Sequence, residues 1–201
     1  MDSWSALEIA RAVALAIALA ACAGLRAWLP LFLVGILARF DFLTLGTSWR
    51  FLASNQALLL FGIATVIEIL GDKIAAVDHA LDAVSTFLRP AAGSLLAASV
   101  LSFIHDPHLA LVAGIVVGAP TAFLPHAAKS SLRVSSTGLT AGLANPVLSV
   151  IEDGISLFLF ALAILVPLLA ALLLVAVTVL LLWRFSRRKP ARVRAARIGR
   201  A

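Results

Sequence analysis

Seven charged residues stand in otherwise apolar surroundings and are the groups in this chain able to do chemistry. Glu68 and Asp72 are four residues apart, so a helix directs both carboxylates to one side. Glu152 and Asp153 are adjacent and diverge by about 100° on a helix, so one of the two is expected to face the same space. Arg26, Lys129 and Arg133 supply the opposite charge. Carboxylates in such a setting bind a cation or carry protons, and the cations serve as counter-charges or as ligands for an anion. A charge in mid-membrane costs about 2.5–3.5 kcal/mol and is normally paired or faces water. The competing reading is structural ion pairing with nothing transported. A carrier predicts that Arg26, Glu68, Arg133 and Glu152 converge on one cavity near mid-membrane, and it fails if they lie far apart at opposite surfaces. A lateral opening to lipid beside Arg133 favours a lipid substrate, and a closed core of paired charges favours a scaffold.

Other motifs are weaker. Residues 126–137 carry His126, Lys129, Ser130, Ser131, Arg133, Ser135, Ser136 and Thr137, and read either as a short re-entrant element whose backbone amides, hydroxyls, Lys129 and Arg133 bind an anion such as phosphate, or as an exposed loop with incidental cations. His105, Asp106 and His108 read as a polar turn, because no further ligand is spaced for a metal. Gly71-Asp72 is half of an intramembrane aspartyl protease motif, but Ile69 stands where its preceding glycine belongs. No P-loop, HExxH or GxSxG string occurs, which leaves ATP-driven transport, zinc proteolysis and serine hydrolysis without support. No enzyme activity and no cofactor are expected.

The elements that must hold these residues follow from composition. Of 201 residues 62% are apolar and 13% charged, against about 45–50% and 25% in soluble domains. That excludes a soluble globular protein and predicts an all-α, polytopic membrane bundle in contact with the lipid bilayer. The net charge of +6 is not a nucleic-acid signal. Residues 184–201 hold eight cations and no acid, while the rest of the chain holds eight cations and ten acids. The organisation predicted is a transmembrane domain over 1–183 and a basic tail over 184–201. Trp183 at the end of the last apolar run and the cations behind it place the C-terminus in the cytoplasm, with the protein in a bacterial inner membrane. Cys22 alone excludes a disulfide framework and a cysteine zinc site. It closes a lipobox-like Leu19-Ala20-Ala21-Cys22, read instead as part of an uncleaved Ala-rich helix.

Along the chain, Gly24 and Pro30 flank Arg26 and predict two helical pieces meeting at a break. Residues 41–56 read as a loop and 57–70 as an apolar helix. Lys73 to Leu88 reads as an amphipathic helix stopped by Pro90. Two apolar runs, 91–104 and 109–123, follow; Gly114 and Gly118 in the second allow close helix packing. Asn145-Pro146 starts the next helix, and 145–183 is about 58 Å long if helical, enough for two spans turning near Pro167. Five or six spans, some broken or re-entrant, are expected. The order Leu-Arg, Gly, Val-Ile-Glu occurs at Leu25-Arg26, Gly35, Val66-Ile67-Glu68 and again at Leu132-Arg133, Gly142, Val150-Ile151-Glu152. It suggests an internal, possibly inverted, repeat with halves 1–90 and 91–183 and a site between them, as in many secondary transporters.

Gly24-Leu25-Arg26 with Pro30-Leu31, Glu68-x-x-Gly71-Asp72-Lys73 with Asp78-His79, Leu88-Arg89-Pro90 with Gly93, His126-x-x-Lys129, Arg133, Asn145-Pro146 and Glu152-Asp153 form a set. Together, over roughly residues 10–183, they resemble the uncharacterised bacterial membrane family known as domain of unknown function 4126. The resemblance implies the membrane architecture and brings no activity with it. Glu68 to Ile74 is also similar to the Glu-x-Gly-Asp-Lys/Arg-Ser/Thr motif of cation/proton exchangers. One extra residue rotates Glu68 from Asp72 by about 100° more than in that motif.

The function expected is a secondary transporter or channel-like carrier of a small ion or anionic solute, coupled through Glu68, Asp72 and Glu152. A second reading is a lipid-phosphate transporter that holds the headgroup through Arg26, Lys129 and Arg133. A third is a non-transporting scaffold or accessory subunit. A homo-oligomer is compatible with each, and nucleic acid is not an expected partner.

Overall fold

The computed structural model describes residues 4–72, 75–140 and 145–167, with 169, 176, 179, 180, 183 and 184 beyond them, and the backbone without side chains at 75–83, 137, 139 and 145. The described residues are helical: α1 (Ala6–Leu25), α2 (Trp28–Arg39), a 3-10 helix (Thr47–Ala53), α3 (Asn55–Gly71), α4 (Ala75–Val100), α5 (Pro107–Thr140) and α6 (Asn145–Leu165). The basic tail beyond Arg184, most of the apolar run 168–183, Lys73 and the repeat's Gly142 lie outside the described residues.

Local chemistry sets the helix starts. Ser5 and Glu8 form a reciprocal capping box at α1. Ser54 accepts the Ala57 amide at α3, 3.2 Å. Asp106 accepts the Leu109 amide at 2.8 Å ahead of Pro107, whose missing N–H costs nothing in a first turn. The predicted break is present: Arg26 leaves helical geometry (φ −138°, ψ 115°) between α1 and α2.

Successive helices reverse direction. Trp4 lies beside Phe103, the Gly46 amide donates to Ser99 O at 2.9 Å, and Arg39 bonds Asn55. These contacts gather one set of helix ends. Arg26, Asp72 and Ser149 gather the other. Helix α1 runs through the centre, with six consecutive residues from Leu19 to Gly24 buried. Small residues make this seam against α4 and α5. A Cβ added to Gly24 would come within 2.2 Å of Ala122 O, and one on Gly118 within 2.3 Å of Gly93 O. The expected packing role of Gly114 and Gly118 is thereby met, Gly114 lying against Ser94 and Ala98.

Several expectations are corrected. Among the described residues three helices are long and apolar enough to span a membrane (Ala6–Leu25, Pro107–Ser136, Pro146–Leu165), or four if the 3-10 helix and α3, bent by 58°, count as one broken span. Five or six were expected. Helix α2, at 12 residues, is too short for a 30 Å core. The amphipathic segment and the run from 91 are a single helix, because Pro90 lies inside α4. Buried Arg89, Ala92, Gly93 and Ser94 flank the proline, and their packing outweighs its local cost of about 3 kcal/mol. The loop at 41–56 contains the 3-10 helix. Residues 126–137 are not re-entrant but continue α5 past Pro120 and Pro125. The repeated strings also fall at unlike places: Glu68 is one turn from the end of α3, whereas Glu152 is two turns into α6, and Arg26 is at a break whereas Arg133 is inside a helix.

Candidate functional site

Five elements meet where α1 ends, and the charged residues meet there. Arg26 is fully buried because the break turns it inward at the junction of α1 and α2. Its guanidinium bonds the Asp72 carboxylate, pairs with Asp153 at 2.6 Å and donates to Ser149 Oγ at 3.0 Å. Asp72 caps the end of α3 and is 2% exposed. A single oxygen of it, Oδ2, receives Arg26, Lys129 Nζ at 3.1 Å and Arg133 at 3.2 Å. Lys129 and Arg133, one turn apart on α5, both reach on to Glu152 of α6, at 3.0 and 2.9 Å.

Glu68, one turn before Asp72, does something different. Its two carboxylate oxygens accept the amides of Ala27 and Trp28, at 3.0 and 3.2 Å, which are the free donors at the start of α2. Arg89 of α4 stands 3.8 Å from Glu68 Oε1 and donates to Gly24 O at 3.2 Å. Arg89 also donates to His126 Nδ1 at 2.9 Å, which leaves the His126 Nε2 proton for Thr86 Oγ1, 3.2 Å away. Among the described residues, four cations (Arg26, Arg89, Lys129, Arg133) thus face four carboxylates (Glu68, Asp72, Glu152, Asp153).

All seven singled-out residues are brought together, and two expectations about them change. Glu152 and Asp153 are both engaged, because α6 lies so that Glu152 turns to α5 and Asp153 to Arg26. The cluster stands toward one end of the spans rather than in mid-membrane: Arg26 directly follows α1, and Arg133 is about 39 Å along α5 at 1.5 Å per residue. The backbone of residues 126–137 is not open to an anion, and the cations Lys129 and Arg133 are engaged with Asp72 and Glu152. The amides of this stretch lie inside a helix, and Ser131 and Ser135 donate to Ala127 O and Ser131 O.

Sequence reasoning missed Arg89, His126, Thr86 and Ser149 as members. A signal existed for His126, since positions 126, 129 and 133 share one helical face. Ser149 likewise precedes Asp153 by one turn. Arg89 had no such signal, because its partners are on other helices.

Away from the cluster the chemistry is sparse. His108 is 94% exposed with Asp106 at 4.0 Å, and among the described residues no group of three His, Cys, Asp or Glu could hold a metal. A groove of about 560 Å³ on the outer face of α2 and α3, lined by Phe32, Leu58, Gly62, Ile63 and Val66 among others, is apolar throughout. It has no donor for an anionic headgroup.

Apolar helices around a buried, charge-balanced cluster define a helical membrane protein. The particular family follows from the chain itself: residues 13–187 match the model of Domain of unknown function (DUF4126), and the protein belongs to that family. No curated protein and no solved structure matches it.

Proposed function

We propose that the protein is a carrier of a small anionic solute, with Arg26, Lys129 and Arg133 as its ligands and Asp72 as the group that occupies them when no solute is bound. The observation that carries this reading is the convergence of three buried cations on one oxygen, Asp72 Oδ2. One cation satisfies a carboxylate electrostatically. Three, drawn from the α1–α2 junction and from α5, make a cradle that fits any anion able to replace Asp72. Asp72 caps a helix end rather than standing within a helix, which suits a group that must withdraw.

Charge balance supplies the coupling. Among the described residues the cluster is four against four, so an added anion leaves one negative charge uncompensated in a low dielectric, at a cost of several kcal/mol. One proton taken up by Asp72 or Glu152 restores neutrality, so each negative charge on the solute enters with a proton. The orientation that accompanies this reading has the cationic tail in the cytoplasm of a bacterial inner membrane, supported by the positive-inside rule.

The test is uptake of acetate, succinate and phosphate into proteoliposomes under an inward proton gradient. Uptake above that of empty vesicles, abolished by Lys129→Gln and retained in part by Lys129→Arg, supports the carrier. Uptake equal to empty vesicles for all three anions removes it. The second reading is a scaffold stapled by its charges, favoured by the complete mutual pairing of the cluster. It requires no flux and a lower melting temperature for Lys129→Gln.

A further inference from the structure

The end of α3 fills two anion cradles, not one, and from this we infer that the solute has two anionic poles, with short dicarboxylates the class that fits. The inference rests on the carrier reading. The first cradle is Arg26, Lys129 and Arg133 on Asp72. The second is the start of α2, where the Ala27 and Trp28 amides hold Glu68 at 3.0 and 3.2 Å with Arg89 at 3.8 Å. These amides have no partner within their own helix, and the positive end of the helix dipole adds to Arg89. A broken helix that offers its free amides to an anion is a recurrent way of building a solute site in membranes.

Neither cradle belongs to α3, which supplies the two carboxylates alone. Glu68 and Asp72 are one turn apart, so their Cβ atoms are separated by about 5–6 Å. Both are buried, at 5% and 2% exposure. The first cradle also holds a donor that Asp72 does not use: among the described residues Nε of Arg26, a fully buried side chain, has no hydrogen-bond partner. A monocarboxylate can displace Asp72 but leaves Glu68 seated on α2. A solute with carboxylates at the two ends of a short chain replaces both at once, with a proton on each of Glu68 and Asp72 keeping the cluster neutral. Phosphate carries its charge on one centre and cannot bridge the cradles. Arg89 is then the residue that sets the preference for two poles over one.

The experiment compares half-saturation concentrations for acetate, succinate and phosphate in proteoliposomes of the full chain under an inward proton gradient. The expected result is succinate at least tenfold below both others. Arg89→Gln should bring the acetate-to-succinate ratio close to one, whereas Arg89→Lys should keep it above one. Equal values for succinate and acetate in the unsubstituted protein, or phosphate as the tightest of the three, overturn the two-pole solute while leaving the carrier reading standing. This comparison needs no variant to fold. Uptake of none of the three anions overturns the carrier reading and the two-pole solute with it.

Discussion

Helix α5 contains two regions that hold the bundle together by opposite means. Its first half meets α4 through glycine and alanine, with Gly114 and Gly118 lying so close to Ser94 and Gly93 that a single methyl would collide with backbone. Its last third meets α3, α4 and α6 through His126, Lys129 and Arg133, each nearly out of contact with solvent. Dispersion and close approach suffice for the first contact, as they do in many membrane helix pairs. The second contact places four positive and four negative groups where lipid or protein would otherwise be apolar. A seam that packs without charge shows that this bundle has a cheaper way to join its helices, and so directs attention to what the charged end does besides joining.

The sharpest way to break the contrast is to remove one partner at the charged end. Asp72→Asn leaves three buried cations around a neutral side chain, and it should lower unfolding free energy by about 3–5 kcal/mol in detergent. A change below 1 kcal/mol would mean that the cations find other partners and that Asp72 is not their hub. Next in size is overpacking at the uncharged end. Gly118→Ala sets a methyl against the Gly93 carbonyl and should cost about 1–3 kcal/mol, read as a drop in melting temperature at unchanged anion uptake. Loss of uptake at full stability would couple the two regions.

A paired change sharpens the comparison further. Asp72→Asn combined with Lys129→Gln removes one charge of each sign, so the double variant should lose less stability than Asp72→Asn alone. Additive losses in that cycle would show that the two groups do not interact. The smallest effect is expected at Gly154, where an added Cβ meets nothing within 4 Å. Gly154→Ala should be neutral or stabilise by up to about 1 kcal/mol through helix propensity. A loss there would place an undescribed neighbour against α6.

Much of this was legible in the residues. The helical membrane class follows from composition alone, and the break at Arg26 follows from glycine and proline on either side of a charge. The contact at Gly114 and Gly118 was legible because small residues spaced by four have few other uses. Pro90 misled, since proline acts locally and the packing of α4 on α5 overrode it. The re-entrant reading of 126–137 failed for a related reason: clustered serines and cations look like a loop until Ser131 and Ser135 return their hydroxyls to the helix's own carbonyls.

By itself the sequence determined that the charges had to be sheltered together, because an unpaired ionised group is too costly in an apolar bundle. It also determined which carboxylates share a helix turn. The partners were decided by the tertiary structure. Glu68 and Asp72 look alike on one helix face, yet one sits on the free amides of α2 and the other on three cations. Arg89 joins from α4 with no neighbour in sequence to announce it. Pairings of this kind are set by how the helices cross, and crossing angles come from backbone approach at residues such as Gly114 and Gly118, two turns or more along α5 from the charges they bring together.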